Sequence, residues 1–225
     1  MIYEIHLPPG TDWDRLVAIA ADLEEGSEID EIAQRQAKQV AARIESALKK
    51  PTDWSVFEDY IIYNFEQFEG DTSAANLLDR ADVPALLLAE DDNVIAEKTR
   101  QIILENTYQY GKGDLCLVEW NSALVVEEVP SRDVADILEF AVTHLLEMRY
   151  YDDLIDRRLG LLYDSIEARR RNKGRLPFWK LSHEASTRFI EFSEFLGRVE
   201  NSLKVVGDFY LARVFRGAIR RFRVA

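Results

Sequence analysis

The chain has 225 residues, of which 47% are hydrophobic and 31% charged, a composition that suits one large globular domain or two small ones. No run of 18 or more uncharged apolar residues occurs, and the first residues lack the basic and apolar regions of a signal peptide, so we expect a soluble cytoplasmic protein. The net charge of −13 disfavours duplex DNA as a partner, and the single cysteine, Cys116, excludes an intrachain disulfide.

Residues 1–130 predict an α+β domain in which helices cover a mostly antiparallel sheet. Tyr3, Ile5 and Leu7 alternate with polar residues, which predicts a short first strand. Two helices should follow, one opening at Thr11 and one opening at Ser27, because Ser and Thr are favoured helix caps. These helices should close at Gly26 and at Pro51.

The middle of the chain adds three more strands. Aromatic and β-branched residues over 60–65 predict the first of these. Short helices are expected around 74–80, after Asp82, and from Asn93 to about Tyr108. Leu86 to Leu88, in the second of these, would also suit a strand. Strands over 114–119 and 123–129, joined by a tight turn, should form a hairpin.

Residues 131–225 predict a long antiparallel helical hairpin with its loop at 172–181. In the first arm, apolar residues recur at 4-3 spacing on one stripe: Val134, Leu138, Ala141, Leu145, Met148, Ile155, Leu159, Leu162 and Ile166. A second apolar run, which opens at Ser182, has the heptad spacing that is typical of a coiled coil. Gly174 and Pro177 interrupt the helix between the two arms.

The densest polar cluster of the first arm gives the candidate binding residues, which are Glu147, Arg149, Tyr150, Tyr151 and Asp152. A salt-bridged, solvated helix face is the simpler interpretation of this cluster. Asp152 differs from the others because it falls on the apolar stripe, where a charge must be paired or hydrated. In an antiparallel hairpin its neighbour should lie near residue 200.

Charge divides unevenly along the chain. Residues 1–130 hold 27 acids and 10 bases, a net charge of −17, whereas residues 131–225 hold 14 acids and 18 bases, a net charge of +4. The basic residues near the end predict a contact with a membrane surface or with RNA, and they are Arg213, Arg216, Arg220, Arg221 and Arg223.

Motifs for catalysis are missing from the sequence. Neither a glycine-rich phosphate loop nor a nucleophile elbow occurs, and the three histidines are scattered, so we expect no cofactor and no metal. A carboxylate-lined pocket formed by Asp114, Glu119, Glu147 and Asp152 would be the basis of an enzyme or small-ligand site. The sequence favours a non-catalytic role over this alternative.

One family resemblance is carried by DLCLVEWNSALVVEEVPSRDVADILEFAVTHLLEMRYYDDLIDRRLGLLYDSI. This stretch, within a likeness over roughly 55–225, resembles the family named "required for meiotic nuclear division", a domain of unknown function. The resemblance implies no catalytic residues. It implies roles in mitochondrial translation or meiosis for eukaryotic members of that family.

These observations together predict a scaffold or adaptor that self-associates, or docks an unknown protein partner, through its helical hairpin. The second arm carries more apolar residues than one helical partner covers, so we expect a homo-oligomer. The alternatives are the carboxylate-lined enzyme site and a peripheral membrane or RNA contact through the basic residues.

Overall fold

A computed structural model describes residues 1–25, 28–48, 56–66, 74–90, 94–127, 131–172 and 208–222, with scattered positions between 179 and 197. The chain forms two compact units. Unit 1 comprises residues 1–55 and 61–131, and unit 2 comprises residues 56–60 and 132–225. The second unit therefore contains five residues from the middle of the first.

The centre of unit 1 is a four-stranded mixed sheet with the order β1-β4-β3-β2. Its strands are β1 (Ile61–Phe65), β2 (Thr107–Tyr108), β3 (Leu115–Val118) and β4 (Ser122–Val126). β1 runs parallel to β4, and the other two pairings are antiparallel. Every residue of β3 and β4 is buried, which is expected of apolar strands covered on both faces.

Four helices complete the core of unit 1. α1 (Trp13–Glu24) begins where Asp12 accepts a hydrogen bond from the Arg15 amide, at 2.8 Å. α3 (Ala74–Arg80) and α5 (Glu97–Leu104) flank α4 (Val83–Leu88), which the Asp82 side chain caps. Twelve buried residues form one apolar cluster, which draws on α1, α3, α4, α5 and the sheet: Leu16, Ala20, Tyr63, Leu77, Val83, Leu86, Leu87, Ile103, Leu115, Leu117, Leu124 and Val126.

One helix of unit 1 stays outside this core. α2 (Glu28–Ile44) has no buried residue and continues into a single 3₁₀ turn, Glu45–Ala47. Its residues Val40 and Ile44 are exposed. The charged residues of this helix are at the surface or only partly covered.

Unit 2 is built on a helix of 40 residues, α6 (Asp133–Asn172), which is about 60 Å long at 1.5 Å per residue. α7 (Phe209–Arg221) packs against it and begins where Asp208 accepts hydrogen bonds from the amides of Tyr210 and Leu211. The first part of the predicted apolar stripe is buried, at Val134, Leu138, Ala141 and Leu145.

The structure confirms the mixed helix-and-sheet fold, the β3–β4 hairpin and the strand over 61–65. Cys116 is buried in β3, and burial raises the pKa of its thiol. The sheet is mixed, because β1 pairs in parallel with a strand far along the chain. The antiparallel arrangement of the helical hairpin, with its loop at 172–181 and most of its second arm, lies outside the described residues.

Two predictions for unit 1 were wrong. Residues 3–7 form no strand, since they pair with no neighbour, and Tyr3 instead donates a side-chain hydrogen bond to Gln36 Oε1 at 2.9 Å. The helix expected from Asn93 to about Tyr108 spans only Glu97–Leu104. Asn106 Nδ2 and Thr107 Oγ1 donate to the carbonyls of Ile102 and Leu104, and such local side-chain bonds compete with helix continuation. Strand β2 then begins at once.

Candidate functional site

The candidate site in unit 2 centres on an ion pair between the 56–60 segment and α6. Arg149 Nε lies 2.7 Å from Glu58 Oε1, and the side chains are 49% and 12% exposed respectively. Burial raises the pKa of Glu58, and the Arg149 guanidinium acts against that rise. The Glu58 carboxylate is thus mostly covered, whereas the Arg149 side chain that contacts it is about half exposed.

An aromatic contact holds the same segment to the other helix of unit 2. The rings of Tyr60 and Phe222 meet edge to face with centroids 5.3 Å apart, a geometry that aromatic pairs favour. Residues 56–60 therefore contact both α6, through Glu58, and the end of α7, through Tyr60. The segment contributes its contacts to unit 2 although its flanking residues belong to unit 1.

His144 lies buried where α6 and α7 meet. Its ring lies 4.3 Å from that of Phe140 and 5.7 Å, edge on, from that of Phe215. Glu147 Oε2 is 3.9 Å from His144 Nδ1. Burial lowers the pKa of His144 below its ordinary value of 6.5, while the Glu147 carboxylate and a backbone hydrogen bond at Phe140 act in the opposite direction.

This lowered pKa predicts that acid destabilises unit 2. Below pH 6.5 the unfolded chain binds a proton at His144 that the folded chain binds only at lower pH, so the free energy of unfolding should fall as the pH drops. We expect His144→Gln to show a weaker loss of stability than the wild type between pH 7 and pH 5, measured by urea unfolding at each pH.

Two comparisons isolate this effect. Glu58, whose pKa is raised, changes stability in the opposite sense at lower pH, but its contribution is common to the wild type and to His144→Gln. His183→Gln alters an exposed histidine and should keep the wild-type dependence on pH. Equal dependence in all three proteins would show that His144 is not involved.

The five candidate binding residues of α6 do not converge. Arg149 is engaged with Glu58, and Glu147 is half exposed beside His144. The rings of Tyr150 and Tyr151 contact each other, with centroids 5.4 Å apart. Asp152 is exposed, and its expected neighbour near residue 200 lies outside the described residues. Pairing of Asp152 across the hairpin stays a prediction.

The four carboxylates proposed for an enzyme pocket divide between the units, with Asp114 and Glu119 in unit 1 and Glu147 and Asp152 in unit 2. Asp114 accepts a hydrogen bond from the Gly111 amide at 3.1 Å just before β3. Glu119 follows β3, is buried, and accepts from the Trp120 amide at 2.9 Å. A pocket shared by Asp114, Glu119, Glu147 and Asp152 stays a prediction. Within the described residues, no three His, Cys, Asp or Glu side chains are grouped to hold a metal.

The basic residues near the end of the chain divide by exposure. Arg213, Arg216 and Arg220 are exposed on α7, and Arg221 is half-buried. Arg223 lies outside the described residues. Three of the five predicted contact residues are therefore available to a partner.

Sequence reasoning missed Glu58. Its side chain is largely covered and in ion-pair contact with Arg149 of α6. The available signal was its position inside the apolar and aromatic run VFEDYIIY, where a carboxylate has few hydrated neighbours.

No helix within the described ranges is long and apolar enough to cross a membrane.

Comparison with known proteins assigns the chain to a family. The family model described as "Uncharacterized protein MJ0711, N-terminal domain" matches residues 1–132. The curated "Uncharacterized protein MJ0711" of Methanocaldococcus jannaschii is 21% identical over 181 residues, which are 80% of this chain and 55% of that protein. The chain thus spans about half the length of the relative it matches. No solved structure matches. The resemblance to the meiotic nuclear division family stays a prediction.

Proposed function

We propose that this chain, which belongs to the family of the MJ0711 N-terminal domain, is a non-catalytic scaffold or adaptor. It uses the helices of unit 2 to self-associate or to dock a protein partner. The proposal is supported by exposed apolar residues of α6 on and beside the stripe predicted for a helical interface.

The lengths of the two helices favour such an interface. α6 has 40 residues and α7 has 13, which correspond to about 60 Å and about 20 Å. A helix of 13 residues packs along about a third of its longer neighbour. The rest of α6 therefore needs another element, another copy or another protein to cover its apolar positions.

Exposure rises along the apolar stripe of α6, and this is the observation on which the proposal rests. Leu138 and Ala141 are fully buried, and Ile155 is half-buried. Leu159 is 44% exposed, and Tyr163, which the predicted stripe did not include, is 69% exposed. Ile155, Leu159 and Tyr163 are four residues apart, so they share one helix face, which we call the distal stripe. Contiguous exposed apolar surface of this kind marks interaction sites.

Exposed residues in and before the predicted second arm support the same proposal. Phe189 and Ile190 are both exposed, as is Trp179 before them. Large apolar side chains left in water favour association, since burying one contributes about 1.5–3 kcal/mol. We propose that the second arm packs on α6 as an antiparallel hairpin and that its remaining apolar residues meet a second copy of the chain.

Light scattering coupled to size exclusion tests the self-association arm. At micromolar concentration we expect a mass at least twice the 26.0 kDa of one chain. The double variant Leu159→Ser/Tyr163→Ser removes the exposed residues of the distal stripe and should shift the protein towards the monomer. Arg157→Ser/Asp164→Ser changes two exposed polar positions of α6 off this stripe and should leave the mass unchanged.

A monomeric wild type would contradict self-association and leave the docking of a different protein. Affinity capture from the native host then distinguishes a docking surface from none. A protein captured by the wild type and by Arg157→Ser/Asp164→Ser, but lost with Leu159→Ser/Tyr163→Ser, would support the adaptor role. Capture that is equal for all three would contradict it.

A further inference from the structure

Four exposed residues of α7 lie on one face of the helix. Phe209, Arg213, Arg216 and Arg220 are spaced by four, three and four residues, which keeps them in line along a helix. We call them the arginine row. The opposite face is buried in unit 2 and consists of Ala212, Val214, Phe215, Gly217 and Ala218.

The arginines of this row have no acidic partner in the part of the chain that the structure describes. Arg213 lies over the ring of Phe209, with its guanidinium carbon 6.0 Å from the ring centroid. No ion pair involves Arg213, Arg216 or Arg220 there. As far as the described residues show, all three guanidinium groups can meet an anion from solution.

Helix electrostatics account for part of this row only. Cations near a helix C-terminus are stabilised by its partial negative charge, and this effect fades beyond the last turn. Arg220 lies in the last turn of α7, but Arg213 and Arg216 do not. The helix dipole therefore does not account for Arg213 and Arg216.

The chemistry of the row fits phosphate groups. Every basic residue of α7 is arginine, whose planar fork of donors matches phosphate geometry. The guanidinium-bearing positions are separated by about 5 Å and about 6 Å along the helix axis. Phe209, 73% exposed at the start of the row, offers a flat face on which an unpaired base can stack.

We propose that the arginine row binds single-stranded nucleic acid, with the arginines on successive phosphates and Phe209 against a base. Stacking requires bases that are not already paired, which favours a single strand over a duplex. A membrane surface is disfavoured because the apolar face of α7 is used inside unit 2 and cannot enter a bilayer. The net charge of −13 should make the binding weak and sensitive to salt.

Fluorescence anisotropy with labelled 12-nucleotide RNA and DNA strands tests the proposal on the full chain. Three phosphate contacts predict a slope of about −2 in a plot of log K against log salt, at about −0.7 for each contact on a single strand. In Arg216→Gln/Arg220→Gln the slope should shrink to about −0.7, with affinity reduced about tenfold at low salt. Phe209→Ala should weaken binding about fivefold or more, because it removes a stacking platform. Tighter binding of RNA than of DNA would support the proposal with RNA as the natural strand.

Matched controls separate this site from general charge effects. Arg35→Gln/Lys38→Gln removes two positive charges from exposed positions of α2 and should bind as the wild type does. Glutamine keeps a helix as well as arginine does, so circular dichroism should be unchanged in both double variants. If neither strand binds, or if Arg216→Gln/Arg220→Gln binds as well as the wild type, the proposal is overturned.

Two further outcomes would also overturn it by assigning the row to another partner. Anionic phospholipid vesicles that sediment with the wild type, while neither oligonucleotide binds, would indicate a membrane surface. A change in oligomeric mass in Arg216→Gln/Arg220→Gln, again without oligonucleotide binding, would indicate the acidic unit 1 of a second copy.

Discussion

Phe215→Ala is expected to destabilise unit 2 by about 3–5 kcal/mol, the usual cost of removing a buried phenylalanine ring. Phe215 is 1% exposed and lies on the buried face of α7. Its ring is 5.5 Å from that of Phe140 and 5.7 Å from that of His144, so its loss leaves a cavity between the two helices. Urea unfolding, together with hydrogen exchange of the α6 and α7 amides, would measure this change.

Phe209→Ala is the matched control for that experiment. It removes the same side chain from the same helix, but at a position 73% exposed, where the change should be within about 0.5 kcal/mol. A similar loss for both variants would mean that α7 does not pack on α6 through Phe215. Hydrogen exchange is needed beside the urea curve because a chain with two units need not unfold in one step.

Leu124→Ala is expected to destabilise unit 1 by about 2–5 kcal/mol. Leu124 is fully buried in β4, where its backbone pairs with Tyr63 of β1 on one side and Leu117 of β3 on the other. The side chain belongs to the apolar cluster beneath the helices. The loss should appear in the protection of amides in all three of these strands.

The control for Leu124 is Ile102→Ala on α5, an apolar truncation of a residue that is exposed. We expect a change within about 0.5 kcal/mol there. A loss below about 1 kcal/mol for Leu124→Ala would show that the centre of the sheet is packed loosely enough to relax around the vacancy.

Local patterns predicted the elements whose stability is local. The hairpin of β3 and β4 was predictable because two apolar runs flank a short turn, and α4 because Asp82 and Pro84 mark a helix start. The parallel pairing of Ile61–Phe65 with Ser122–Val126 was not predictable, because it depends on residues about 60 positions apart. Tyr3 and Ile5 alternate as strand residues do, yet alternation alone supplies no pairing partner.

The candidate site was predicted less well than the fold, for the same reason. Arg149 was identified from its helical neighbours, but its contact is Glu58, which comes from a segment 91 positions earlier in the chain. Local spacing predicted only a salt-bridged helix face for the cluster around Arg149, with no partner from another element. By contrast, exposure of the row from Arg213 to Arg220 follows from helical periodicity, because the apolar positions between them fix which face is buried.

The five residues from Val56 to Tyr60 carry a consequence for dissecting this protein. They contact unit 2, yet they lie inside the stretch that the family model matches, residues 1–132. A fragment ending near residue 132 keeps Glu58 and Tyr60 but loses Arg149 and Phe222, their partners. A fragment beginning there has the opposite deficit. No single cut of the chain yields two fragments with all their contacts. To exchange unit 2 between relatives, residues 56–60 should therefore be exchanged together with the second fragment. Joining Glu58 to Arg149 in the unfolded chain closes a loop of 91 residues, an entropic cost of roughly 4 kcal/mol plus a constant. Pairing of β1 with β4 shortens that loop, so docking of this segment after the sheet has formed is the expected order of events during folding.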